Sequence, residues 1–477
     1  MNILLFLYIF SIGVLAIYGA HRIHLVYKAD SNPPPPKEIT ESYLYPTVLI
    51  QLPMFNEANV VTRLIESICA LEWPKDKLHV QVLDDSTDET TELAQHAIQK
   101  YKHSGISISY HHRTNRKGYK AGALKEGLSL HNADFVAIFD SDFMPSKDFL
   151  LQVMPYFDQE EIGMVQARWG HINQNENLLT HLSSILLDGH FLIEHNARNQ
   201  SGCFFNFNGT AGVWRTQTII NAGGWMHDTI TEDLDLSYRA QLKGWKFVFL
   251  PEVIAPAELP SHIHAFRLQQ YRWAKGSIQT AKKLLPTIIF SKIPLKAKIE
   301  SLFHLSANVG YPLCLFWIIT LPWVAHLDES IPIFWKISTV IFGFIGVLYF
   351  YGHAMKKGQN RISIPTLFLV LGLGVGMSIN QSIAFFAGMF RTDPIFVRTP
   401  KKGNKRKQLY TPPKSAIRWI ELGLCIYCFA SIPIMFESHL FLAIPFLCLF
   451  GWGFFFVSGF TKLFPYSFLH ILRQNTE

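Results

Sequence analysis

A succession of long apolar runs constrains this 477-residue chain more than any other feature of its sequence. One run occupies residues 3–18, and the others occupy residues 305–324, 331–351, 364–379, 417–436 and 440–460. A helix needs about 20 apolar residues to cross a bilayer. We therefore expect an N-terminal transmembrane anchor over residues 1–28 and a multi-span α-helical membrane domain over residues 305–477.

The placement of positive charge predicts which side of the membrane each segment faces. Arg22 and Lys28 follow the first run, and the loop 391–415 is strongly basic. Positively charged flanks stay on the cytosolic side, so we expect the N-terminus outside and both basic segments in the cytosol. Three full spans between residues 305 and 390 would put the loop outside, so either one of them is re-entrant or interfacial or the charge rule fails for this loop. Because the basic residues cluster between apolar runs, no nucleic-acid partner is expected.

Short β-rich runs alternate with helical patterns over residues 46–264. The β-rich runs cover residues 47–52, 80–83, 106–110 and 135–139, and the helical patterns cover residues 60–71, 89–101 and 121–130. This alternation predicts a Rossmann-like α/β domain with a parallel sheet. In such sheets ligands bind at the carboxyl ends of the strands.

Two shorter segments join these parts of the chain. Residues 29–45 contain four consecutive prolines, which predicts a stiff linker. Residues 265–304 mix lysines with large apolar side chains, which predicts amphipathic helices lying on the bilayer surface. A solvated pair of basic helices is the alternative interpretation of the second segment.

Acidic residues follow two of the predicted strands. Asp84 and Asp85 end the run 80–83, and Asp140 and Asp142 follow the run 135–139 at a spacing of two. Paired carboxylates can hold a hard divalent cation, Mg²⁺ or Mn²⁺, which then binds a diphosphate. Capping of the following helix is the alternative role for Asp84 and Asp85.

Two further polar clusters occur later in the chain. Glu232 and Asp233 follow Thr231 at a predicted helix start, where a carboxylate gains from the helix dipole even without a catalytic role. As a general base, Asp233 would need to reach an acceptor hydroxyl, and an ordinary pKa near 4 would leave it ionised at neutral pH. Arg272 is suited to pairing with a diphosphate. Trp273 offers a flat apolar face for a sugar ring.

The order of these clusters resembles the D, DxD, TED and QxxRW signature of the processive family-2 glycosyltransferases. That group includes cellulose, mannan, hyaluronan and chitin synthases. The passages 51–57, 117–124 and 207–215 fit the resemblance, and the last is closer to mannan and glucomannan synthase-like proteins than to bacterial cellulose synthase. The resemblance implies a GT-A-type catalytic domain.

The resemblance also implies roles for individual residues. Donor and nucleotide contacts are implied for Asp84, Asp85, Lys120, Asp140, Gln269 and Arg272. Acceptor contacts are implied for Trp273, Glu232, Asn208 and Trp169. Asp140 and Asp142 would hold the metal, and Asp233 would be the catalytic base. Phe396, Arg398 and Thr399 lie where related synthases carry a gating loop, although they depart from the FxVTxK form.

The activity implied is that of an inverting hexosyltransferase that builds a β-linked polysaccharide from a donor of the UDP-glucose or GDP-mannose class. The catalytic domain would lie in the cytosol, the helices would cross the inner or plasma membrane, and export would accompany synthesis, with accessory export subunits as possible partners. Transfer of one sugar to a ceramide or polyprenyl lipid is the alternative reaction. A membrane transporter or structural subunit with a degenerate transferase domain is the non-enzymatic alternative, and the intact acids Asp140, Asp142 and Asp233 argue against it.

Overall fold

A computed structural model describes residues 3–29, 37–103, 105–327, 333–391, 403 and 416–459. The predicted gating residues Phe396, Arg398 and Thr399 lie outside the described residues, as do the four consecutive prolines and most of the basic loop 391–415.

A seven-stranded sheet forms the centre of the α/β domain. Its strands are β1 (Val48–Met54), β2 (Leu78–Asp84), β3 (Ile108–His112), β4 (Phe135–Ile138), β5 (Ile162–His171), β6 (Gly212–Arg215) and β7 (Lys246–Ala257). The strand order is β3-β2-β1-β4-β6-β5-β7. Strands β1 to β4 run parallel, as the sequence predicts, but β6 is antiparallel to both β4 and β5. The expectation of a wholly parallel sheet is therefore wrong, and the sheet is mixed.

Helices cover both faces of this sheet. The helices in this part of the chain are α1 (Ile3–Ala29), which precedes the sheet and packs in the helical bundle described below, then α2 (Val61–Cys69), α3 (Thr90–Lys102), α4 (Tyr119–Leu130), α5 (Phe149–Val153), α6 (Leu178–Asp188), α7 (Asn196–Gln200), α8 (Thr216–Asn221) and α9 (Glu232–Leu242). A π-helix, Gly189–His195, joins α6 to α7 without a break. Because helices pack on both sides, β1 is buried along its whole length and reads as a nearly continuous apolar run.

Two glutamines interrupt the apolar pattern of the central strands and fix α4 to the sheet. Gln51 donates from Nε2 to the Gln81 Oε1 at 2.9 Å and to the Leu124 carbonyl at 3.2 Å, and Gln81 donates to the Gly127 carbonyl at 2.9 Å. Buried polar groups are tolerated when they are hydrogen-bonded in this way. The helix that carries Lys120 is thus held directly over β1 and β2.

The rest of the described chain is helical. The helices are α10 (Ile263–Phe290), α11 (Leu295–Ser306), α12 (Gly310–Leu327), α13 (Ile333–Lys357), α14 (Ile364–Gly376), α15 (Ser378–Phe390), α16 (Ile417–Ala430), α17 (Ile432–Glu437) and α18 (Ile444–Val457). By length and composition, three described segments are apolar enough to cross a membrane: Ile3–Ala29, Leu295–Val324 and Ile417–Glu437. The pair α14 and α15 would add a fourth if counted as one span, but it is bent by 42°. A re-entrant segment between residues 305 and 390 is one of the alternatives that the sequence predicts. A bend of this size is compatible with such a segment and also with a single broken span.

Glycines bring several of these helices into backbone contact. Gly376 of α14 faces Gly453 of α18, and Gly19 of α1 faces Gly346 of α13, with no room for a Cβ atom at either contact. Small residues that let helix backbones approach closely are typical of helix packing in lipid. Helix α1 is therefore packed into the helical bundle.

Candidate active site

A cavity of about 210 Å³ opens at the carboxyl ends of β1, β2 and β4. We call it the acidic cavity. Its wall contains nearly all the described residues for which the sequence suggested a role: Asp85, Lys120, Asp140, Asp142, Trp169, Asn208, Glu232, Asp233, Gln269, Arg272 and Trp273. These residues come from seven separate stretches of the chain. Asp84 is the predicted site residue within the described chain that does not line the cavity.

Asp84 is instead a fully buried structural residue. Its carboxylate accepts hydrogen bonds from the Ser86 backbone N–H at 2.8 Å, the Thr91 hydroxyl at 3.0 Å and the Tyr110 hydroxyl at 2.7 Å. These donors tie the end of β2 to the start of α3 and to β3. The geometry therefore gives Asp84 a part in holding the loop that presents Asp85, and its side chain does not line the acidic cavity.

Asp85 lies in the cavity wall and is held by two arginines. Arg113 donates to both carboxylate oxygens at 2.7 Å in a bidentate pair, and Arg116 Nε lies 3.9 Å from Oδ2. The Arg116 guanidinium also stands 3.3 Å from the centroid of the Phe55 ring. Stacked cations of this kind are stabilised by the ring quadrupole. Aromatic, cationic and anionic groups therefore meet at this end of the cavity.

Asp140 and Asp142 lie just beyond the end of β4, next to the start of α4. Lys120, in the first turn of α4, donates to Asp140 Oδ1 at 2.5 Å and to the Gly209 carbonyl at 2.8 Å. Asp142 is buried, and its Oδ2 accepts from the Glu258 backbone N–H at 3.3 Å. Two carboxylates on one short turn are the hard oxygen donors that Mg²⁺ and Mn²⁺ prefer, so the donor set fits such an ion.

Glu232 and Asp233 begin α9 and face Lys120 across the cavity. The Leu234 backbone N–H donates to Asp233 Oδ1 at 2.8 Å. Burial and the adjacent Glu232 raise the pKa of Asp233 to about 7, and the Lys120 ammonium opposes the rise. Burial likewise raises the pKa of Glu232. The sequence-based expectation of an ordinary aspartate pKa is therefore not met, since this carboxyl stands in a confined acidic cluster.

Gln269, Arg272 and Trp273 lie on one face of α10 and close the other side of the acidic cavity. Burial lowers the pKa of Arg272 to about 10, against the nearby carboxylates of Asp140 and Glu232, so its guanidinium stays charged at neutral pH. The Trp273 ring lies 6.2 Å from the Trp169 ring, centroid to centroid, at an interplanar angle of 57°. The wall of the acidic cavity thus contains both the Arg272 guanidinium and the two neighbouring aromatic rings of Trp169 and Trp273.

A second cavity, of about 490 Å³, continues from the first between the helices. We call it the interhelical cavity. The residues lining both cavities form a throat: Trp169, Leu187, Asn208, Thr231, Asp233, Leu259, Pro260, Gln269 and Trp273. Helix α1 lines the interhelical cavity with Tyr18 and Arg22. The segment predicted as a simple anchor therefore also forms part of a cavity wall that leads to Asp233.

Sequence reasoning assigned no role to several residues that the structure brings to the site. Arg113 and Arg116 lie just beyond the end of β3, where the rule that ligands meet the carboxyl ends of strands could have found them. Phe55 lies just beyond the end of β1. His190 and Glu194, on the π-helix, line the interhelical cavity, and no hydrophobic pattern marks that helix.

Comparisons with known proteins agree with this geometry. Residues 46–276 match the family described as glycosyltransferase like family 2. Glucomannan 4-beta-mannosyltransferase 1 of Oryza sativa subsp. japonica is 45% identical over 284 residues, which cover 58% of this chain and 54% of that protein. The protein of the same name from Cyamopsis tetragonoloba is 39% identical over 388 residues, which cover 78% of this chain and 72% of that one. The chain thus spans about half the length of the first relative and nearly three quarters of the second.

A solved structure has a similar fold. The mannosyltransferase PcManGT from Pyrobaculum calidifontis, in complex with GDP-Man and Mn²⁺, superposes with a TM-score of 0.58 at 17% identity. The match covers 81% of this chain and 100% of that one. At this level of identity the likeness concerns the fold alone, which is GT-A-like with a mixed sheet.

Proposed function

The chain belongs to the family-2 glycosyltransferases of the mannan synthase-like type, and from this premise we propose that it is a membrane-embedded inverting transferase that extends a β-linked glycan. The observation that carries the proposal is the convergence of Asp140, Asp233 and Arg272 on one cavity whose throat leads between the apolar helices. A base, an anion-binding cation and a route for a long acceptor are the parts that such a reaction needs.

The donor is proposed to be a nucleotide diphosphate sugar, with a mannosyl donor of the GDP-mannose class first and UDP-glucose second. The names of the relatives, which are glucomannan 4-beta-mannosyltransferases, support this order. The nucleotide would lie near Asp85 and the Arg116–Phe55 pair, and the diphosphate near Lys120 and Arg272. Both cations can bind phosphate oxygens, and Arg272 can do so in a bidentate manner.

The reaction is a single displacement at the anomeric carbon. An acceptor hydroxyl oxygen attacks that carbon, the bond from the carbon to the diphosphate oxygen breaks, and the electron pair leaves with the nucleotide diphosphate. Asp233 takes the hydroxyl proton as general base. Arg272 and Lys120 stabilise the charge that develops on the leaving diphosphate. The attack from the opposite face inverts the configuration and gives a β-linkage.

The residues present fit a divalent cation as well. Asp140 and Asp142 would hold Mg²⁺ or Mn²⁺, and the ion supplies Lewis-acid stabilisation to a bound diphosphate. Asp140 is positioned for this by its place directly after β4 and by a backbone hydrogen bond from its N–H to Thr210 Oγ1 at 2.9 Å.

We propose a glycan acceptor for the interhelical cavity, whose wall is largely apolar but also carries polar and aromatic groups. Its wall carries charged and polar side chains, among them Arg22, His190, Glu194 and Gln381, together with aromatic rings such as Trp317. Sugar hydroxyls need polar partners and sugar faces need aromatic ones, whereas an acyl chain needs neither ion nor amide. We therefore propose polymer synthesis, with the growing chain leaving through this cavity. The catalytic domain would stand on the cytosolic side of the inner or plasma membrane.

The proposal is tested by activity in a lipid nanodisc. The purified chain is given Mn²⁺ and labelled GDP-mannose or UDP-glucose, and product length and linkage are analysed. The wild type should form a polymer, and Asp233→Asn should lose at least about a hundredfold in rate. Asp228→Asn, whose side chain is 55% exposed and outside both cavities, is the matched control and should keep its activity.

Two results would overturn the proposal: no transfer or hydrolysis of any nucleotide sugar by the wild type, or full activity of the Asp233 variant. A product with one sugar on a lipid would instead select the alternative reaction.

A further inference from the structure

Arg113 is a buried arginine that contacts two parts of the candidate site at once. It follows β3 directly, and its backbone N–H donates to the Asp84 carbonyl at 2.8 Å, which extends the pairing of β3 with β2 by one residue. Its side chain is only 5% exposed. A guanidinium carries five N–H donors, and buried donors are hydrogen-bonded in folded proteins. The partners of Arg113 therefore show which parts of the molecule it holds in place.

The first partner is Asp85, in the wall of the acidic cavity. Arg113 donates from Nε and Nη2 to the two carboxylate oxygens, both at 2.7 Å. A bidentate pair of this kind fixes the plane of the carboxylate as well as its position. The Asp85 carboxylate therefore cannot rotate without breaking two charge-assisted hydrogen bonds.

The second partner is the segment of residues 114–119, which ends at the first residue of α4 and which we call the α4 turn. Arg113 donates from Nη2 to the Tyr119 carbonyl at 2.9 Å and from Nη1 to the Lys117 carbonyl at 3.3 Å. Helix α4 packs tightly on the same turn, because a Cβ atom added to Gly122 would stand 1.9 Å from the Lys117 carbonyl oxygen. The turn is therefore held between the guanidinium and the helix that it begins.

The backbone of the α4 turn is strained, so it depends on such partners. Arg116 and Tyr119 have φ values of 41° and 49°. Left-handed conformations are costly for residues other than glycine, and they persist where the surrounding structure determines them. The two hydrogen bonds from Arg113 do this, together with the one from the Lys117 N–H to Asn115 Oδ1 at 3.0 Å.

The α4 turn positions two cations of the acidic cavity. Arg116 belongs to the turn and Lys120 follows it directly, and both line the cavity. Because Lys120 begins where the turn ends, a change in the backbone of the turn moves its ammonium group. Arg113 thus holds Asp85 at one end of the proposed donor site and, through the turn, Lys120 at the other.

We propose that Arg113 is a positioning residue that sets the spacing between the nucleotide-binding carboxylate of Asp85 and the phosphate-binding ammonium of Lys120. A ligand that carries a base and a diphosphate at one fixed separation gains from both ends only where that spacing is correct. The inference rests on the proposed function, because it presumes the nucleotide near Asp85 and the diphosphate near Lys120. Arg113 does not itself line the acidic cavity and takes no part in the proton transfer.

The test compares one linked ligand with its two separate parts. In nanodiscs with Mn²⁺, the dissociation constant of GDP is measured by calorimetry, and those of guanosine and pyrophosphate are measured by displacement of GDP. UDP and uridine take the place of GDP and guanosine if UDP-glucose proves to be the donor.

Arg113→Lys keeps the positive charge, but a single ammonium cannot donate to both oxygens of Asp85 and to both carbonyls of the α4 turn. It should weaken the binding of GDP about tenfold and that of each part less than about threefold, because a separate part can bind its own end wherever that end stands. A merely structural role would lower thermal stability without this difference between the linked ligand and its parts.

The matched control is Arg215→Lys. Arg215 also donates to three backbone carbonyls, those of Phe157, Gln159 and Ile162, and these residues are not part of the acidic cavity lining within the described chain. This variant should lower thermal stability and leave all three dissociation constants unchanged.

A second variant keeps the inference testable if Arg113→Lys fails to fold. Asn115 is exposed, and Asn115→Ala removes the acceptor for the Lys117 N–H, so it loosens the α4 turn without disturbing the buried ion pair. It should weaken the binding of GDP about threefold, the effect of one lost hydrogen bond, and leave the binding of the two parts unchanged.

Three outcomes would decide against these proposals. Unchanged binding of GDP in a folded Arg113→Lys protein, or in Asn115→Ala where that variant stands in, would overturn the role of Arg113, as would an equal loss for GDP, guanosine and pyrophosphate. A wild type that binds GDP but neither transfers nor hydrolyses any nucleotide sugar would overturn the proposed function, and the affinities would still decide the role of Arg113. A wild type that binds neither GDP nor UDP would overturn both.

Discussion

Gly209 lies so close to Asp233 that a Cβ atom added to it would stand 2.9 Å from the Asp233 Oδ2 atom. The Gly209 carbonyl also accepts the hydrogen bond from Lys120. The glycine has a φ of 81°, a conformation that L side chains rarely adopt. Any side chain at position 209 would therefore displace the carboxylate of Asp233, the proposed base.

Gly209→Ala should therefore lower kcat by about a hundredfold, because displacements of about 1 Å at a reacting group have effects of this order. Gly244→Ala is the matched control, since Gly244 also has a positive φ, of 96°, but has open space where the Cβ would lie. Both variants should lose some thermal stability in nanodiscs, and Gly209→Ala alone should lose activity. Equal kcat values for the two variants would contradict the inference that Gly209 keeps Asp233 in position.

The pH dependence of the reaction should reflect Asp233. A base must be unprotonated to act, and its pKa is raised to about 7, so the rate should rise with pH and reach half its maximum near pH 7. An ordinary aspartate would give a flat profile above about pH 5. The measurement is the initial rate at saturating donor and acceptor between pH 5 and 9. The small remaining rate of Asp233→Asn should not show this rise.

Substitution of the two adjacent aspartates should have different consequences. Asp84→Asn disturbs an acceptor of three buried hydrogen bonds, so it should lower the free energy of unfolding by about 1–3 kcal/mol with little change in KM for the donor. Asp85→Asn alters the cavity wall and should raise the donor KM. Thermal unfolding and donor titration of each variant separate these effects. A raised donor KM in a stable Asp84→Asn protein would restore the sequence-based assignment.

Most of the sheet and the site could be predicted because their signals are local. The periodicity of residues 46–140 predicted the first four strands, and the acids at their ends predicted the cavity that now contains Asp85 and Asp140. The antiparallel direction of β6 depends on its pairing with β4 and β5 and has no local signal, so it could not be predicted. The role of Asp84 depends on Tyr110, 26 residues away, and contacts over such distances leave no pattern in the sequence.

The apolar helices also combine features that the sequence predicts with features that it does not. Their apolar character could be predicted from composition, since a bilayer demands about 20 apolar residues for each span. Their number could not, because the sequence suggested six spans, whereas three described segments are long and apolar enough, or four if α14 and α15 count as one. The bend of 42° between α14 and α15 and the lining of the interhelical cavity by α1 depend on packing between distant helices. Neither the bend nor the cavity lining can be predicted from the hydropathy of a single segment.

A buried ion pair links the helix of Gln269 and Arg272 to the apolar helix α16. Arg267 of α10 pairs with Glu421 of α16 and donates to the Val457 carbonyl of α18, and its own carbonyl accepts from Asn380 of α15 at 3.2 Å. Both charged side chains are nearly inaccessible. Removal of one partner leaves an uncompensated buried charge, whereas removal of both does not.

Arg267→Met should therefore lower the free energy of unfolding by about 3–5 kcal/mol, and the double variant with Glu421→Leu should recover much of this loss. Thermal or denaturant unfolding in nanodiscs gives the coupling energy of the cycle. Lys282→Met serves as the control, because its exposed bond to the Met389 carbonyl should contribute less than about 1 kcal/mol. Since α10 carries Arg272, the single variant should also raise the donor KM, and the double variant should restore it. Purely additive losses in the cycle would show that the pair does not fix α10 against the bundle.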